Sequence, residues 1–480
     1  MVLRHGSLPW CAASLGALVA IGALAGPARA EGPTPVSPPS IDVPTPVRSL
    51  TLPEALAYAR AHHPAIHAAL SRVKERMAQA EIPSGQWLPT VGVTAQLYGM
   101  TANNTTGTFL QTQSLDAPRI GATPGTTSST AAWTPYASTF VGAGIMQEIF
   151  DFGRIGAQRA AADALVDVAK HGADGERLDI DFGVEEAYFS VLAARAIIVA
   201  SDQAYDRAKV HRDLAKRGVD SGLRPPIELT RAEADLNRFD VGRIKARGGL
   251  ALAQSVFAAA IGAPDPALDV GAEEPAVGDL PTMAEAIDLV RTRDPLIAQA
   301  VASLTAAERQ TRAVGAELRP DLGATGTFSE RAGGATPSNG AVPDGNGWLP
   351  DVPNWDVGLV FSWPLYDGTI SARREAARST EQVRHDEVDV AVEQEVANVR
   401  KAFVAVQVAR SALVALENTV VASRANYDQA DARFRAGIGN AVELADAEAV
   451  RTDAEIQYAL GKFEVARARA AFGRAIAEGL

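Results

Sequence analysis

Three closely spaced histidines are the residues of this sequence whose type and spacing could bind a metal ion. His63 and His67 have the i, i+4 spacing that places two imidazoles on one helical face, and His62 is adjacent. However, Pro64 interrupts that turn, and no glutamate lies between the histidines to complete a metalloprotease pattern. A histidine patch on the surface is the favoured interpretation, and we expect no metal site.

Other sequence patterns that indicate catalysis are also missing. Cys11 is the single cysteine of the 480 residues, so neither a disulfide nor a cysteine metal site is expected. The sequence contains no phosphate-binding loop, dinucleotide fingerprint or Gly-x-Ser-x-Gly nucleophile elbow. These patterns favour a protein that is not an enzyme and has no cofactor.

The overall charge argues against one large class of partner. The chain has 45 basic and 57 acidic residues, a net charge of −12, whereas binding to nucleic acid requires a basic surface. Hydrophobic residues make up 47% of the chain but aromatic residues only 6%, because the apolar positions are largely alanine. Such a composition favours many thin helix contacts over one bulky core.

The first 30 residues have the features of a secretory signal peptide. Arg4 precedes an apolar run over residues 11–26, and Ala28-Arg29-Ala30 forms a small-x-small cleavage site. Lipidation of Cys11 is less favoured, because the hydrophobic run follows this cysteine. Residues 31–49 form a proline-rich leader. The rest of the chain has no run of 18 apolar residues, so the exported protein is either soluble or crosses a membrane as β-strands.

The sequence contains a tandem duplication. Glu285 lies 231 positions after Glu54 (285 − 54), and after a loop the offset becomes 215 (368 − 153). The second offset relates these pairs: Gly153 with Gly368, Arg159 with Arg374, Tyr188 with Phe403, Gly222 with Gly437, Glu228 with Glu443 and Phe257 with Phe472. We therefore predict a first repeat at residues 50–264, a linker at 265–281 and a second repeat at 282–480.

The positions of the prolines predict the helices. No proline lies between Pro135 and Pro225 or after Pro364, so each repeat can contain one long helix, at residues 154–217 and 369–435. Helices of about 100 Å need an extended bundle or coiled coil. Shorter helices are predicted at residues 53–81, 226–261, 283–317 and 441–477. A break or a bend is expected at Gly248-Gly249, because two glycines cost roughly 2 kcal/mol inside a helix relative to alanine.

Each repeat also has two strand-like segments. They are predicted at residues 90–104 and 136–150, and at residues 321–331 and 353–366. In the last segment five apolar residues share one face: Trp355, Val357, Leu359, Phe361 and Trp363. We predict that Trp355 and Trp363 form a lipid-facing aromatic girdle, and an ordinary half-buried sheet is the alternative. Four strands cannot close a barrel around a pore, whereas three chains would supply twelve.

Several motifs together resemble the TolC-like outer-membrane efflux family over essentially the whole mature chain. They are Leu52-Pro53-Glu54-Ala55-Leu56 with His63-Pro64, Trp87-Leu88-Pro89, the strand-to-helix junctions at residues 147–153 and 363–368, and Ala441-Val442-Glu443-Leu444. The resemblance implies a mainly α-helical fold with a β-barrel portion. In it, duplicated repeats of helix, two strands, long helix and helix form a trimeric α-barrel plus a 12-stranded outer-membrane β-barrel.

The resemblance also implies a function and partners. A homotrimer in the outer membrane, with a large periplasmic portion, would be the exit duct of a tripartite efflux or secretion system. It would passively conduct substrate from an inner-membrane transporter and a periplasmic adaptor protein, while its barrel contacts outer-membrane lipid. The alternatives are a periplasmic coiled-coil adaptor or scaffold, which would not need the strand pairs, and a soluble exported binding protein, which would need a compact core.

The same resemblance places functional residues near the turns that follow the long helices. Glu443 and Asp446, which share one helical face, correspond to a ring of acids that lines the pore and favours cations, and Glu228 is the matching acid of the first repeat. The alternative is a solvated helix face that pairs with Arg435 or Arg451.

The turns themselves match the family's periplasmic tip, where the adaptor docks. Their residues are Gly218, Gly222, Leu223, Gly437 and Gly439. The resemblance also implies inter-helix hydrogen bonds that hold the tip shut, and the acid of the first repeat in these bonds corresponds to Glu228. The sequence departs from the family at the other two positions, since Phe434 has no hydroxyl and Gly439 has no side chain. Arg224 or Arg435 is expected to replace those bonds.

Overall fold

The computed structural model describes residues 48–101, 111–112, 115–116, 135–263, 268–271, 279–333 and 352–479. All of them belong to one compact unit, Val43–Leu480. The predicted signal peptide at residues 1–30, the leader up to residue 47 and most of the linker at 265–281 lie outside the described residues. Most of the two polar loops between the paired strands lies outside them as well.

Eight α-helices occur within the described residues. They are α1 (Leu52–His62), α2 (Pro64–Glu81), α3 (Arg154–Asp220), α4 (Pro226–Ala260), α5 (Met283–Arg293), α6 (Pro295–Ala316), α7 (Gly368–Arg435) and α8 (Ala441–Ala475). The long helices α3 and α7 have 67 and 68 residues, about 100 Å each at 1.5 Å per residue. Both begin and end within three residues of the bounds that the prolines predict. Helix α3 packs against α2, α4, α6 and α8, and α7 packs against α5, α6 and α8.

The opening helix of each repeat is split in two, whereas the sequence predicted one helix in each. His63 and Asp294 interrupt them with ψ of 125°, because each precedes a proline that disfavours the helical conformation in the residue before it. Thr51 and Thr282 start α1 and α5 with a capping box. The two repeats therefore begin with the same local structure.

The predicted break at Gly248-Gly249 is wrong, since α4 is continuous from Pro226 to Ala260. Ala246, Ala253 and Phe257 are buried on both sides of the glycines. Packing of this face along α3 stabilises the helix and offsets the glycine cost of roughly 2 kcal/mol.

Four long strands form one antiparallel sheet in the order β2-β5-β7-β8. Their bounds are β2 (Thr90–Thr101), β5 (Pro135–Phe150), β7 (Asp321–Gly333) and β8 (Val352–Ser362). Strand β8 ends four residues before the predicted end at 366, because its partner β7 begins at Asp321, opposite Ser362. Shorter strands also occur: β1 (Arg48–Leu50) pairs in parallel with β6 (Leu268–Val270), and β3 (Gln111–Thr112) pairs with β4 (Leu115–Asp116).

Two apolar cores occupy equivalent places in the two halves of the chain. Phe257 and Phe472 are 215 residues apart (472 − 257), and both are fully buried. Phe257 packs edge-on against Tyr188 of α3, and Phe472 packs edge-on against Phe403 of α7. Many of the surrounding core residues are alanine or valine, so the helices approach closely with small side chains.

Candidate functional site: the sheet faces and the helical tip

The pairing register places the apolar side chains of the four long strands on one face of the sheet. Val93 pairs with Ala143, Ala143 with Phe328, and Phe328 with Trp355. The next such row contains Val91, Ile145, Gly326 and Val357. Most of these apolar side chains are exposed. An exposed apolar sheet face of this extent is typical of a surface that contacts lipid or another protein.

The opposite face of the sheet is polar or formed by glycine. One row contains Thr94, Gly142 and Ser329, and another contains Gly92, Gly144, Thr327 and Asp356. Thr327 donates a hydrogen bond to the carboxylate of Asp356 on the neighbouring strand. The sheet is therefore two-sided, with one face suited to lipid and the other to water.

The two tryptophans of the predicted girdle are both exposed. Trp355 lies near the start of β8 with 76% of its surface exposed, and Trp363 follows the end of β8 with 54% exposed. They thus mark the two ends of the apolar face.

At the other end of the long helices, two glycine turns connect α3 to α4 and α7 to α8. Gly222 and Gly437 have φ of +73° and +74°, a conformation that glycine adopts without strain. At Gly439 the requirement for glycine is steric, because an added Cβ would lie 2.9 Å from the backbone nitrogen of Phe434. No larger residue fits there in this conformation, which explains one departure from the family pattern.

Arg224 links the two turns. Its Nη2 donates a hydrogen bond to the carbonyl oxygen of Phe434 at 2.9 Å, and its Nη1 lies 2.8 Å from Oε2 of Glu228. The guanidinium carbon lies 3.7 Å from the centre of the Phe434 ring. Arg435, the other candidate, pairs at 2.9 Å with Asp431 of its own helix instead. Helices α3 and α4 form one helical hairpin, and α7 and α8 form the other. Of the two candidate arginines, Arg224 makes the contact between these two hairpins.

The three predicted tip acids have different surroundings. Glu443 and Asp446 are exposed on the first turns of α8, and Glu443 lies 3.4 Å from Nη1 of Arg433. Glu228 belongs to the other hairpin and is paired with Arg224. The sequence suggested that the face formed by Glu443 and Asp446 could pair with Arg435 or Arg451. Arg435 instead pairs with Asp431, at 2.9 Å, and Arg451 with Glu455, at 3.2 Å.

A buried ionic network between the hairpins was not predicted. Arg207 of α3 contacts Glu448 at 2.7 Å and Glu455 at 3.5 Å, and Arg424 reaches Glu455 at 3.0 Å. Burial raises the pKa of Glu448 despite its arginine partner. Burial also acts to raise the pKa of Glu455, but hydrogen bonds from Arg424 and Arg451 outweigh it and lower that pKa. The i, i+7 spacing of Glu448 and Glu455, which places both on one face of α8, is the sequence pattern that could have indicated this network.

His211 and Tyr427 form a neighbouring pair between the two long helices. Nε2 of His211 lies 2.8 Å from the Tyr427 hydroxyl. Burial lowers the pKa of His211 and raises the pKa of Tyr427 to about 12. Both side chains are therefore uncharged at neutral pH.

The three histidines of the candidate metal cluster each contact backbone. Nδ1 of His63 accepts a hydrogen bond from the Ala65 amide and caps α2. Nδ1 of His62 lies 2.9 Å from the Tyr58 carbonyl oxygen, and Nε2 of His67 lies 3.1 Å from that of Ala61. Within the residues that the structure describes, no group of acids and histidines is arranged to hold a metal ion.

One helix carries an apolar stretch that is mostly exposed. Helix α7 contains an 18-residue stretch that is long and apolar enough to cross a membrane, and 17% of this stretch is buried. Val404, Val408, Val414 and Val421 lie on its exposed surface. The stretch is part of a 68-residue helix that packs along α8, so it is also suited to contact with another protein surface.

Comparisons with known proteins agree with this architecture. The family described as outer membrane efflux protein matches residues 55–263 and 286–478. Protein CyaE of Bordetella pertussis is 25% identical over 408 residues, which cover 83% of this chain and 78% of CyaE. The structure of the outer-membrane channel OprN is 22% identical, with a TM-score of 0.67 over 89% of this chain and 90% of OprN. The open state of the MtrE outer membrane channel of Neisseria gonorrhoeae is 20% identical, with a TM-score of 0.67 over 89% of each chain.

The family match includes both long helices and all four strands of the antiparallel sheet. The expected channel fold, the outer-membrane location with a large periplasmic portion, and the role as an exit duct are confirmed, and the coiled-coil adaptor is not favoured. The family and the similar structures are channels rather than enzymes. This chain belongs to the outer membrane efflux protein family.

Proposed function

We propose that three copies of this chain form one closed duct that opens to the outside through a shared twelve-stranded barrel. The observation that carries this proposal is the four-stranded sheet. Within the described residues, β2 and β8 each pair on one side only. Three successive antiparallel pairings make these edge strands run in opposite directions. The β2 edge of one copy can therefore pair antiparallel with the β8 edge of the next, which removes every free edge.

Lipid would cover the apolar face of this barrel, and water would fill its inside. The Trp355 and Trp363 side chains would lie at the two membrane interfaces, where tryptophan is enriched. The exposed valines of α7 would be covered by helices of the neighbouring copy. Insertion into the membrane and trimer formation would thus bury both apolar surfaces that the single chain exposes.

The helical tip would control the passage of substrate. Three copies of Glu443 and Asp446 would place six carboxylates around the narrow end, with Glu228 close to them, and favour cations. The Arg224 contact with Phe434 would hold the two hairpins together in the closed state.

The glycine turns would bind the periplasmic adaptor, which connects the duct to an inner-membrane transporter. Leu223 and Ile438 are the apolar residues of these turns, and 83% and 75% of their surfaces are exposed. Apolar side chains at the end of a solvated bundle are suited to protein contacts. The transporter would supply the energy, and the duct would conduct substrate passively.

The experiment that tests the duct is single-channel conductance in a planar bilayer, with the oligomer mass determined in the same detergent. We expect a pore of trimer mass. Leu359→Arg places a charge on the lipid face, at a cost of about 2–4 kcal/mol at the bilayer midplane, and should reduce insertion. The matched control is Thr325→Arg on the polar face of the adjacent strand, which should insert normally. A monomer that forms no pore would refute the duct.

A further inference from the structure

A cavity of about 290 Å³ lies between the two helical hairpins, close to the tip turns. Residues of α3, α4, α7 and α8 all contribute to its lining. Neither Glu443 nor Asp446 lines it, although Glu228, the third predicted tip acid, does. Its size is at the lower end of the range for small-molecule sites.

The walls of the cavity are mostly apolar. Phe239 of α4 and Leu444 of α8 provide the larger side chains, and several alanines provide the remaining surface. The Arg224 guanidinium lies 3.7 Å from the centre of the Phe434 ring, whereas the Arg238 guanidinium lies 5.0 Å from that of Phe239, so Phe239 is the less tightly covered aromatic surface. Such walls are suited to the ring or alkyl chain of a small ligand.

Two polar atoms at this cavity lack a hydrogen-bond partner. Glu448 is only 2% exposed, and its Oε1 contacts Arg207 and Thr452, whereas its Oε2 has no partner. Nδ1 of His211, which also lines the cavity, is buried without a partner. A buried acceptor without a donor costs roughly 1–3 kcal/mol, which a ligand that donates a hydrogen bond would recover.

The acids around the cavity indicate what group the ligand must carry. Glu228, Asp235 and Glu448 line it and are paired with Arg224, Arg238 and Arg207, respectively. Oε2 of Glu448 is nevertheless an acceptor without a donor, and the arginine of the lining, Arg231, is exposed to water. An ammonium group combines several donors with a positive charge, and an aromatic body would match Phe239.

We propose that this cavity binds a small amphipathic amine, with its ammonium group hydrogen-bonded to Oε2 of Glu448 and its apolar body against Phe239. Because both hairpins form the walls, an occupant contacts both of them. Bound amine therefore stabilises the arrangement in which the hairpins lie together, and this binding does not depend on the trimer.

Titration calorimetry of the full-length mature protein in detergent tests the proposal, with tryptamine as the probe. Tryptophol and indole-3-propionate have the same ring, with a neutral and an anionic end. We expect saturable binding of tryptamine and at least ten-fold weaker binding of the other two. Equal binding of all three probes, or uptake that does not saturate, would overturn the proposal.

Two variants, with a third as control, test where tryptamine binds. Glu448→Gln removes the charge and should weaken tryptamine binding at least ten-fold, while Glu455→Gln, in the same arginine network but outside the cavity lining, should change it less than two-fold. Ala232→Leu fills the cavity without touching the ionic network, and it should weaken binding even if Glu448→Gln does not fold. Unchanged affinity in Ala232→Leu would place tryptamine elsewhere and refute the site.

Discussion

Arg207 and Glu448 join the two halves of the chain through a buried ion pair, with 2.7 Å between Nε and Oε1. They are 241 residues apart in sequence, on α3 and α8. Removal of one member of a buried pair leaves the other charge without compensation. The pair therefore couples the stability of the two hairpins.

Arg207→Ala should destabilise the protein by about 3–5 kcal/mol, since Glu448 would stay buried without its cation. Arg247→Ala is the control, because Arg247 of α4 makes an exposed contact of 3.6 Å with Asp202 of α3, and its loss should cost less than about 1 kcal/mol. Thermal unfolding followed by helical circular dichroism in detergent measures both. Equal losses in the two variants would contradict the importance of the buried pair.

Glu185 should make stability depend on pH. Burial, with the nearby carboxylates of Asp181 and Glu478, raises its pKa from 4.5 to about 7. Below pH 4.5 the group is protonated in both states and has no effect. As the pH rises from 4.5 to about 7, the unfolded state loses its proton first, so the folded state loses stability.

Glu185→Gln should remove this loss. Relative to the wild type, the variant should gain on the order of 2 kcal/mol between pH 5 and pH 8. Glu186→Gln is a matched control one residue away, where an exposed pair with Arg467 at 3.3 Å is lost instead. Melting temperatures at the two pH values give the comparison, and a parallel pH response in both variants would argue against a special role of Glu185.

Trp355 and Trp363 should contact lipid in the assembled protein. In single-tryptophan variants reconstituted in brominated lipid, fluorescence at each position should be quenched by more than about half, because bromine quenches only on contact. Aqueous iodide is the complementary probe and should have little effect. Strong iodide quenching without lipid quenching at both positions would refute the girdle.

Glu443→Gln combined with Asp446→Asn should reduce the cation preference of the pore. The two changes neutralise six carboxylates in a trimer, which reduces the negative electrostatic potential that attracts cations to the pore. The reversal potential under a tenfold salt gradient should move toward zero. The same measurement on Glu464→Gln, a change on α8 at a position far from the tip turn, should match the wild type.

Arg224→Ala should increase the conductance of the resting channel several-fold. The change removes both the hydrogen bond to the Phe434 carbonyl and the stacking on its ring, which connect the hairpins. Arg435→Ala is the control, since that side chain pairs with Asp431 within its own helix. If both variants conduct like the wild type, the closed state does not depend on Arg224.

Long-range sequence features predicted the architecture well. The absence of prolines placed α3 and α7 within three residues of their bounds, because proline is incompatible with a helix interior. The alternation in residues 355–363 placed β8 because its side chains face two different environments. The continuous α4 helix was missed, since packing against α3 outweighs the local preference of Gly248-Gly249.

The contacts at the tip could be predicted only in part. Arg224 was one of two candidates, and only the structure distinguishes it from Arg435, because both lie close to a turn. The Arg207 pair with Glu448 joins residues 241 positions apart, and no local pattern specifies which arginine meets which glutamate. Similarly, the capping role of His63 depends on the backbone before Pro64, which the histidine spacing did not reveal.

Helices α3 and α7 have nearly the same length, as do α4 and α8, and this match limits how the length of the duct can change. Helix α3 extends alongside α4 up to the glycine turn, and α7 extends alongside α8. One added heptad lengthens a helix by about 10 Å while keeping its packing face in register. An insertion in α3 alone would displace its turn from the turn at the end of α7. A longer variant therefore requires four insertions of seven residues made together, so the reach of the duct can evolve only in coordinated steps.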